Sequence, residues 1–117
     1  MALNVDTLTQ ALTQGARAAG NALSASGRNV RGDIDKFVVP ELRSIAEQLV
    51  LLEEKNLRGV LTQNSAQMLL HAQIDGVKRT IIPAMVELTL TELQSVINAA
   101  LQAVASVVNG ALGFAVL

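Results

Sequence analysis

Apolar residues recur every three or four positions through the first part of the chain, which is the period of one helix face. The stripe consists of Val5, Leu8, Leu12, Ala16, Ala19 and Leu23. The glycines from Gly15 to Gly32 each cost about 1 kcal/mol relative to alanine inside a helix. The pattern therefore predicts a Gly/Ala-rich arm over residues 1–32, with a break near SGRNVRGD. The arm is either frayed or a thin helix that becomes ordered only against a partner, and we favour the second interpretation.

A second segment, residues 36–58, carries the clearest helical pattern. Its apolar positions step by three or four and end in an amide, which is the spacing of a coiled-coil seam. The seam consists of Leu42, Ile45, Leu49, Leu52 and Asn56. Pro40 suits the first turn of this helix because it has no N–H to lose. We expect the seam to join copies of the chain in an oligomer, with Asn56 fixing the register.

A third helix is predicted over residues 62–92, where the apolar stripe continues past a proline. The stripe consists of Leu70, Ile74, Val77, Ile81, Met85 and Leu88. Pro83 lacks a backbone donor, so we expect it to kink or divide the helix. Residues 86–93 also alternate like a β-strand, but the sequence offers no second strand that could pair with them.

The remaining residues, 93–117, form a tail without a charged side chain. At 100° per residue, its amides and hydroxyls fall on one side of a helix and its aliphatic residues on the other. The polar stripe consists of Asn98, Gln102, Ser106 and Asn109. A helix of this length spans roughly 37 Å, a little more than the ~30 Å hydrocarbon core of a bilayer.

The tail suits only a few environments. Amides exposed to hydrocarbon would each cost several kcal/mol, and a helix in water normally carries charges on its outer side. The stripe therefore pairs with matching stripes of other copies, or it faces a water-filled lumen shared by several copies. The simpler alternative is a buried helix of a monomeric bundle whose amides find partners within the chain.

These patterns predict one all-α domain over residues 1–117, built of elongated helices that form a hairpin or a bundle. The apolar stripes are too wide for one hairpin to cover. We therefore expect coiled-coil-like packing in a homo-oligomer or with other assembly subunits. Half of the residues are hydrophobic but only Phe37 and Phe114 are aromatic, which fits helix packing by Ala, Leu, Val and Ile.

The charge of the chain is small and its basic residues are scattered. A net charge of −1 favours neither nucleic-acid binding nor repulsion between copies. Only weak phosphate contacts are expected from Arg17, Arg28, Arg31 and Lys36. The sequence contains no cysteine, which excludes disulfides and thiolate metal sites. The first residues lack the pattern of a cleaved signal peptide, and we expect a location in a virion or at a membrane.

Candidate chemistry is sparse, and we predict no enzymatic activity, no cofactor and no metal site. His71 is the only histidine, and Asp75 lies four residues later, where a hydrogen bond on the helix surface is the ordinary interpretation. Glu53 and Glu54 point about 100° apart on a helix, so they form no dyad and belong to a solvated face. The tripeptide Arg31–Asp33 matches an integrin-binding sequence, but three residues recur too easily by chance to indicate adhesion.

Two stretches rich in Ala, Gln and Asn, TQALTQGARAAGNALSASG and INAALQAVASVVNG, resemble small helical phage virion proteins of the pilot, ejection or conduit type in their composition. The resemblance implies a structural, self-associating subunit. In a conduit, Asn98, Gln102 and Ser106 would line a lumen that does not grip passing phosphates. The alternative is a membrane-active protein, either pore-forming or holin-like or pilin-like, that inserts residues 93–117 into a bilayer.

Overall fold

The computed structural model describes residues 2–25 and 27–117, and this part of the chain folds into helices without a β-strand. The all-α prediction is confirmed. In chain order the elements are α1 (Val5–Ser24), α2 (Val30–Asp33), a π-helix (Ile34–Val38), α3 (Val39–Leu57), α4 (Gln63–Ile81), a 3-10 helix (Ile82–Ala84) and α5 (Leu90–Leu112). The break in the N-terminal segment therefore lies before Val30, and the stretch Arg31–Asp33 is helical.

The long helices form a bundle that is open on one side. Helix α1 packs most extensively on α5 and also on α3, and α3 packs on α4. The backbones of α4 and α5 hardly contact each other. The molecule is elongated, with extents of 48 × 22 × 20 Å. The buried aliphatic side chains of all four long helices join one hydrophobic core.

The Gly/Ala-rich arm is ordered by the chain's own tail. Leu8, Leu12 and Ala16 of α1 are buried, and Gly15 faces α5. A Cβ atom at Gly15 would lie 2.7 Å from the carbonyl oxygen of Ala99, closer than real side chains allow. A glycine here lets the two helix backbones approach closely. The partner expected for this arm is therefore α5 of the same molecule.

The helix around Pro40 begins earlier than the sequence predicted. It runs from α2 through the π-helix into α3, and the backbone N–H of Val39 donates to the carbonyl of Ile34, five residues back. A proline ring inside an α-helix clashes with the carbonyl four residues before it and leaves that carbonyl without its donor. The wider π turn directly before Pro40 accommodates both effects, so the helix continues through the proline.

Pro83 divides the predicted segment 62–92 rather than kinking a continuous helix. Helix α4 stops at Ile81, and α5 begins at Leu90 after the 3-10 helix and a short linker. The start of α5 is fixed by a capping box, in which the Thr89 hydroxyl accepts from the N–H of Glu92 and the Glu92 carboxylate accepts from the N–H of Thr89. The strand-like alternation of residues 86–93 thus falls on a linker and a helix start.

Candidate functional site

The outer side of α5 is exposed and uncharged. Three members of the predicted stripe, Asn98, Gln102 and Ser106, are exposed on it. The opposite side of the helix is buried against the core through Leu93, Val96, Ile97, Ala100, Val104 and Val108. We define the uncharged face as the exposed residues Ser95, Asn98, Gln102, Ala103, Ser106, Val107 and Gly110.

The fourth member of the stripe, Asn109, has a structural role within the chain. Its side-chain oxygen accepts from the backbone N–H groups of Val116 and Leu117, at 2.9 and 3.2 Å. Gly113 allows the required reversal because it adopts a φ of +82°, which favours glycine. Asn109 therefore holds the last residues against the end of α5 and is not part of the uncharged face.

A groove of about 490 Å³ lies beside the uncharged face, between α4 and α5. Its lining combines buried aliphatic residues with exposed polar ones: Leu70, His71, Ile74, Asn98, Ala99, Leu101, Gln102, Ala105, Val116 and Leu117. A neighbouring depression of about 290 Å³ extends it past Asp75 and Lys78 to Gln94. We call the two together the α4–α5 groove. It exists because α4 and α5 each pack on inner helices but not on each other.

Side chains bridge the groove at both ends. At one end Lys78 donates to the side chain of Gln94, which in turn donates to Asn98 at 2.7 Å. At the other end Gln63 and Gln67 donate to the backbone carbonyl of Ala115, at 3.0 and 3.3 Å. Amide and ammonium groups thus connect α4 to α5 and to the residues that follow it, and the middle of the groove stays open.

The predicted seam lies inside the molecule. Leu42, Ile45, Leu49 and Leu52 are fully buried in the core of the single chain. The side-chain nitrogen of Asn56 donates to the carbonyl of Leu112 at 3.0 Å, which caps the end of α5. The heptad spacing is therefore satisfied by helices of the same chain, and the four aliphatic residues of the seam have no exposed surface in the single chain.

The residues considered for chemistry either make no hydrogen bond with each other or stabilise the fold. His71 and Asp75 both line the α4–α5 groove, but the described residues contain no hydrogen bond between them. Glu53, expected on a solvated face, is buried and accepts from the N–H groups of Ala2 and Leu3, at 3.0 and 2.9 Å. Within the described residues, no three His, Cys, Asp or Glu side chains come together as metal ligands.

The buried carboxylate of Asp33 joins α2 to the linker between α4 and α5, a role that the sequence did not indicate. Asp33 is 5% exposed, and its Oδ2 atom accepts from the consecutive backbone N–H groups of Val86, Glu87 and Leu88 at 2.6–2.9 Å. Burial raises the pKa of this carboxyl, but the three backbone donors outweigh burial and leave the pKa below its ordinary value. Because its aspartate is buried, the Arg31–Asp33 tripeptide cannot present that group to a receptor.

An ion pair holds the same linker from outside. Arg28 donates to both carboxylate oxygens of Glu92, at 2.6 and 2.8 Å, and also to the carbonyl of Glu87. The hydrogen bond from Arg28 and the N–H of Thr89 lower the pKa of Glu92 to about 2. The hydrogen bond to Glu92 in turn raises the pKa of Arg28. The end of α1 is thereby tied to the start of α5.

The surface of α1 and α3 differs from that of α5. Arg17 pairs with Asp35 at 3.0 Å, and Arg43 pairs with Asp6 at 3.0 Å, so that ion pairs join α1 to the α2–α3 helix. Further pairs join Arg43 to Glu47 and Arg31 to Asp35. Of the four basic residues considered for phosphate contact, Arg17, Arg28 and Arg31 thus have a carboxylate partner.

Comparison of the chain with protein-family models, with curated proteins and with solved structures gave no match.

Proposed function

We propose that the chain is a structural, non-enzymatic subunit that self-associates into a larger helical assembly. One observation carries this proposal: α5 exposes a continuous side that has no charged residue between Gln94 and Leu117. A surface helix of a protein that functions alone normally carries charged residues on its outer side. Contact with another subunit would explain why α5 lacks them.

Within this proposal, the polar stripe of α5 has two possible environments in the assembly. The apolar side of α5 is already covered by the chain itself, so association has to use the outer side. In a virion conduit, Asn98, Gln102 and Ser106 of several copies would face a shared lumen. In a packed assembly, they would be buried between subunits. Both versions require more than one copy of the chain.

The mass of the protein in solution tests the proposal. We expect size-exclusion chromatography with light scattering to give a mass well above the 12.3 kDa of one chain, without detergent and over a wide range of protein concentration. A mass of one chain at every concentration, including the highest that stays soluble, would contradict self-association.

A membrane-active protein is the second candidate. Among the described helices, α5 is long and apolar enough to cross a bilayer, although core helices of soluble proteins meet the same criterion. Insertion would require α5 to leave α1, α3 and the close contact at Gly15. Flotation with liposomes tests this candidate: co-flotation of the protein with release of an entrapped dye would favour it, and protein that stays at the bottom of the gradient would exclude it.

A further inference from the structure

We infer that the uncharged face and the α4–α5 groove form the contact between two copies of this chain, with α5 packed antiparallel on its counterpart about a two-fold axis near Gln102. The inference rests on the proposed function and names the surface through which association occurs. In this arrangement, α5 of each copy lies over the groove of the other.

The bundle lacks one helix–helix contact at this place. Direct helix packing brings helix axes to 8–10 Å, and the other neighbouring long helices of the bundle pack on each other. Between α4 and α5 the aliphatic side chains of Leu70, Ile74 and Leu101 instead line an open groove. A third helix laid along the groove would contact both α4 and α5. It would also bury the exposed part of Leu101, which favours association.

The charges of the surface suit a second copy of the same chain. A two-fold interface places the same surface patch of both copies face to face, so a patch of like charges would repel its counterpart. Amides and hydroxyls avoid this problem because each of them can both donate and accept a hydrogen bond. The charged residues that line the described groove are one of each sign, Asp75 and Lys78. The surface is therefore neutral and complementary to itself.

The surface is also large enough. The 23 residues of α5 span roughly 35 Å, and the molecule is 20–22 Å across. The side formed by α4 and α5 thus presents roughly 700 Å², close to the ~800 Å² that each partner contributes to a stable interface of standard size. Contact through α5 alone would cover about half of this area, so the groove and α4 have to take part.

The position of the axis follows from the helix itself. Gln102 lies next to the middle of α5, and Asn98 and Ser106 lie four residues before and after it. An axis at Gln102 gives the greatest overlap of the two helices. It pairs the two copies of Gln102 with each other and pairs Asn98 with Ser106 of the second copy. The antiparallel arrangement also sets the two helix dipoles in opposite directions, which is favourable.

Charge insertion at the axis tests the inference. In the double variant N98K/Q102K, the two lysines at position 102 meet each other at the axis, and the lysine at position 98 places a further charge opposite Ser106 of the second copy. We expect dimer affinity to fall by on the order of a hundredfold or more in sedimentation equilibrium. The matched control is Q10K/Q14K on the exposed side of α1, which we expect to keep the affinity of the wild type. Because all four positions are solvent-facing or bridged only at the surface, circular dichroism and urea unfolding should show folded protein for both.

A mixing experiment distinguishes loss of the interface from loss of folding. Q102K and Q102E should each dimerise weakly, and an equimolar mixture should regain the dimer because opposite charges then meet at the axis. An oligomer that tolerates N98K/Q102K, or one that Q10K/Q14K disrupts instead, would overturn the inference and leave the proposed function intact. A wild-type protein that is monomeric throughout would overturn both.

Discussion

The two long surfaces of this bundle are built differently. Where α1 meets the α2–α3 helix, exposed arginines and carboxylates pair across the helix boundary, as in Arg17–Asp35 and Arg43–Asp6. On α5 the exposed side chains are amides, hydroxyls and small aliphatic groups, and a groove that also contains His71, Asp75 and Lys78 of α4 lies between the two helices. The first surface has its charges paired within one chain, whereas the second exposes amides and hydroxyls such as Gln102 and Ser106 beside a groove that no helix of the same chain fills. This difference is the basis of our proposal that a second copy covers the surface formed by α4 and α5.

The largest expected loss of stability comes from removing Asp33, which joins α2 to the linker before α5. Replacing Asp33 with alanine leaves three buried or half-buried N–H groups of the linker without their acceptor. We expect a loss of about 3 kcal/mol or more in the free energy of unfolding, measured by urea titration. The matched control is Asp35→Ala two residues later, which removes only exposed ion pairs and should cost less than about 1 kcal/mol. Equal losses in the two variants would show that the linker does not depend on Asp33.

The contact between α1 and α5 gives the next effect. Gly15→Ala places a methyl group against the backbone of Ala99 and Ala100, so we expect a loss of about 2 kcal/mol in the free energy of unfolding. Gly76→Ala is the matched control on α4, where a Cβ atom meets nothing within 4 Å. It should stabilise the protein by up to about 1 kcal/mol, since alanine is the better helix former. The same sign in both variants would contradict the close approach of α1 and α5.

Acid should weaken the ion pair between Arg28 and Glu92, which holds the start of α5. The pKa of Glu92 is lowered to about 2 in the folded protein, against about 4.3 for a glutamate in an unfolded chain. Its contribution to stability is therefore fully present above pH ~4.3 and is lost as the pH falls toward 2. We expect the urea midpoint to decrease over this range in the wild type and to decrease less in Glu92→Gln. Arg28→Gln should flatten the same pH profile, because Arg28 is the main cause of the lowered pKa. An unchanged slope in both variants would rule out this ion pair as the acid-sensitive contact.

The smallest effect is expected on the charged surface itself. Arg43→Ala removes two exposed pairs, with Asp6 and with Glu47, and should change the free energy of unfolding by less than about 1 kcal/mol. It should leave the mass in light scattering as in the wild type, because Arg43 pairs with residues of α1 and α3 and does not line the α4–α5 groove. A clear change in the oligomeric state of this variant would show that the charged surface also takes part in association.

The helices and much of the core could be predicted from the sequence, because aliphatic side chains at helical spacing specify a buried face. Leu42, Ile45 and Leu49 are buried as their spacing implies. Spacing does not specify which chain covers them, and here it is the same chain. Thr89 and Glu92 have the spacing of a capping box, which marks the start of α5, but the apolar stripe that continues past Pro83 favoured one longer helix instead.

The contacts that buried carboxylates make with distant parts of the chain could not be predicted from local sequence pattern. Asp33 meets backbone groups that lie 53–55 residues away, and Glu53 meets Leu3 at a separation of 50 residues. Nothing in the residues next to either carboxylate indicates such distant donors. The uncharged side of α5 was predictable from the absence of charge in residues 93–117 and from the helical spacing of the amides and hydroxyls. The groove beside it depends on the distance between α4 and α5, which the sequence pattern does not specify.

The most direct test of the account uses the absence of cysteine from the sequence. A single cysteine in place of Gln102 should form a disulfide-linked dimer under mild oxidation, because the two-fold axis brings the two sulfur atoms together. The Gln10→Cys variant, which carries its thiol on α1, should stay monomeric on a non-reducing gel. A Gln102→Cys protein that does not cross-link, or that cross-links no faster than Gln10→Cys, would contradict an antiparallel contact between copies of α5.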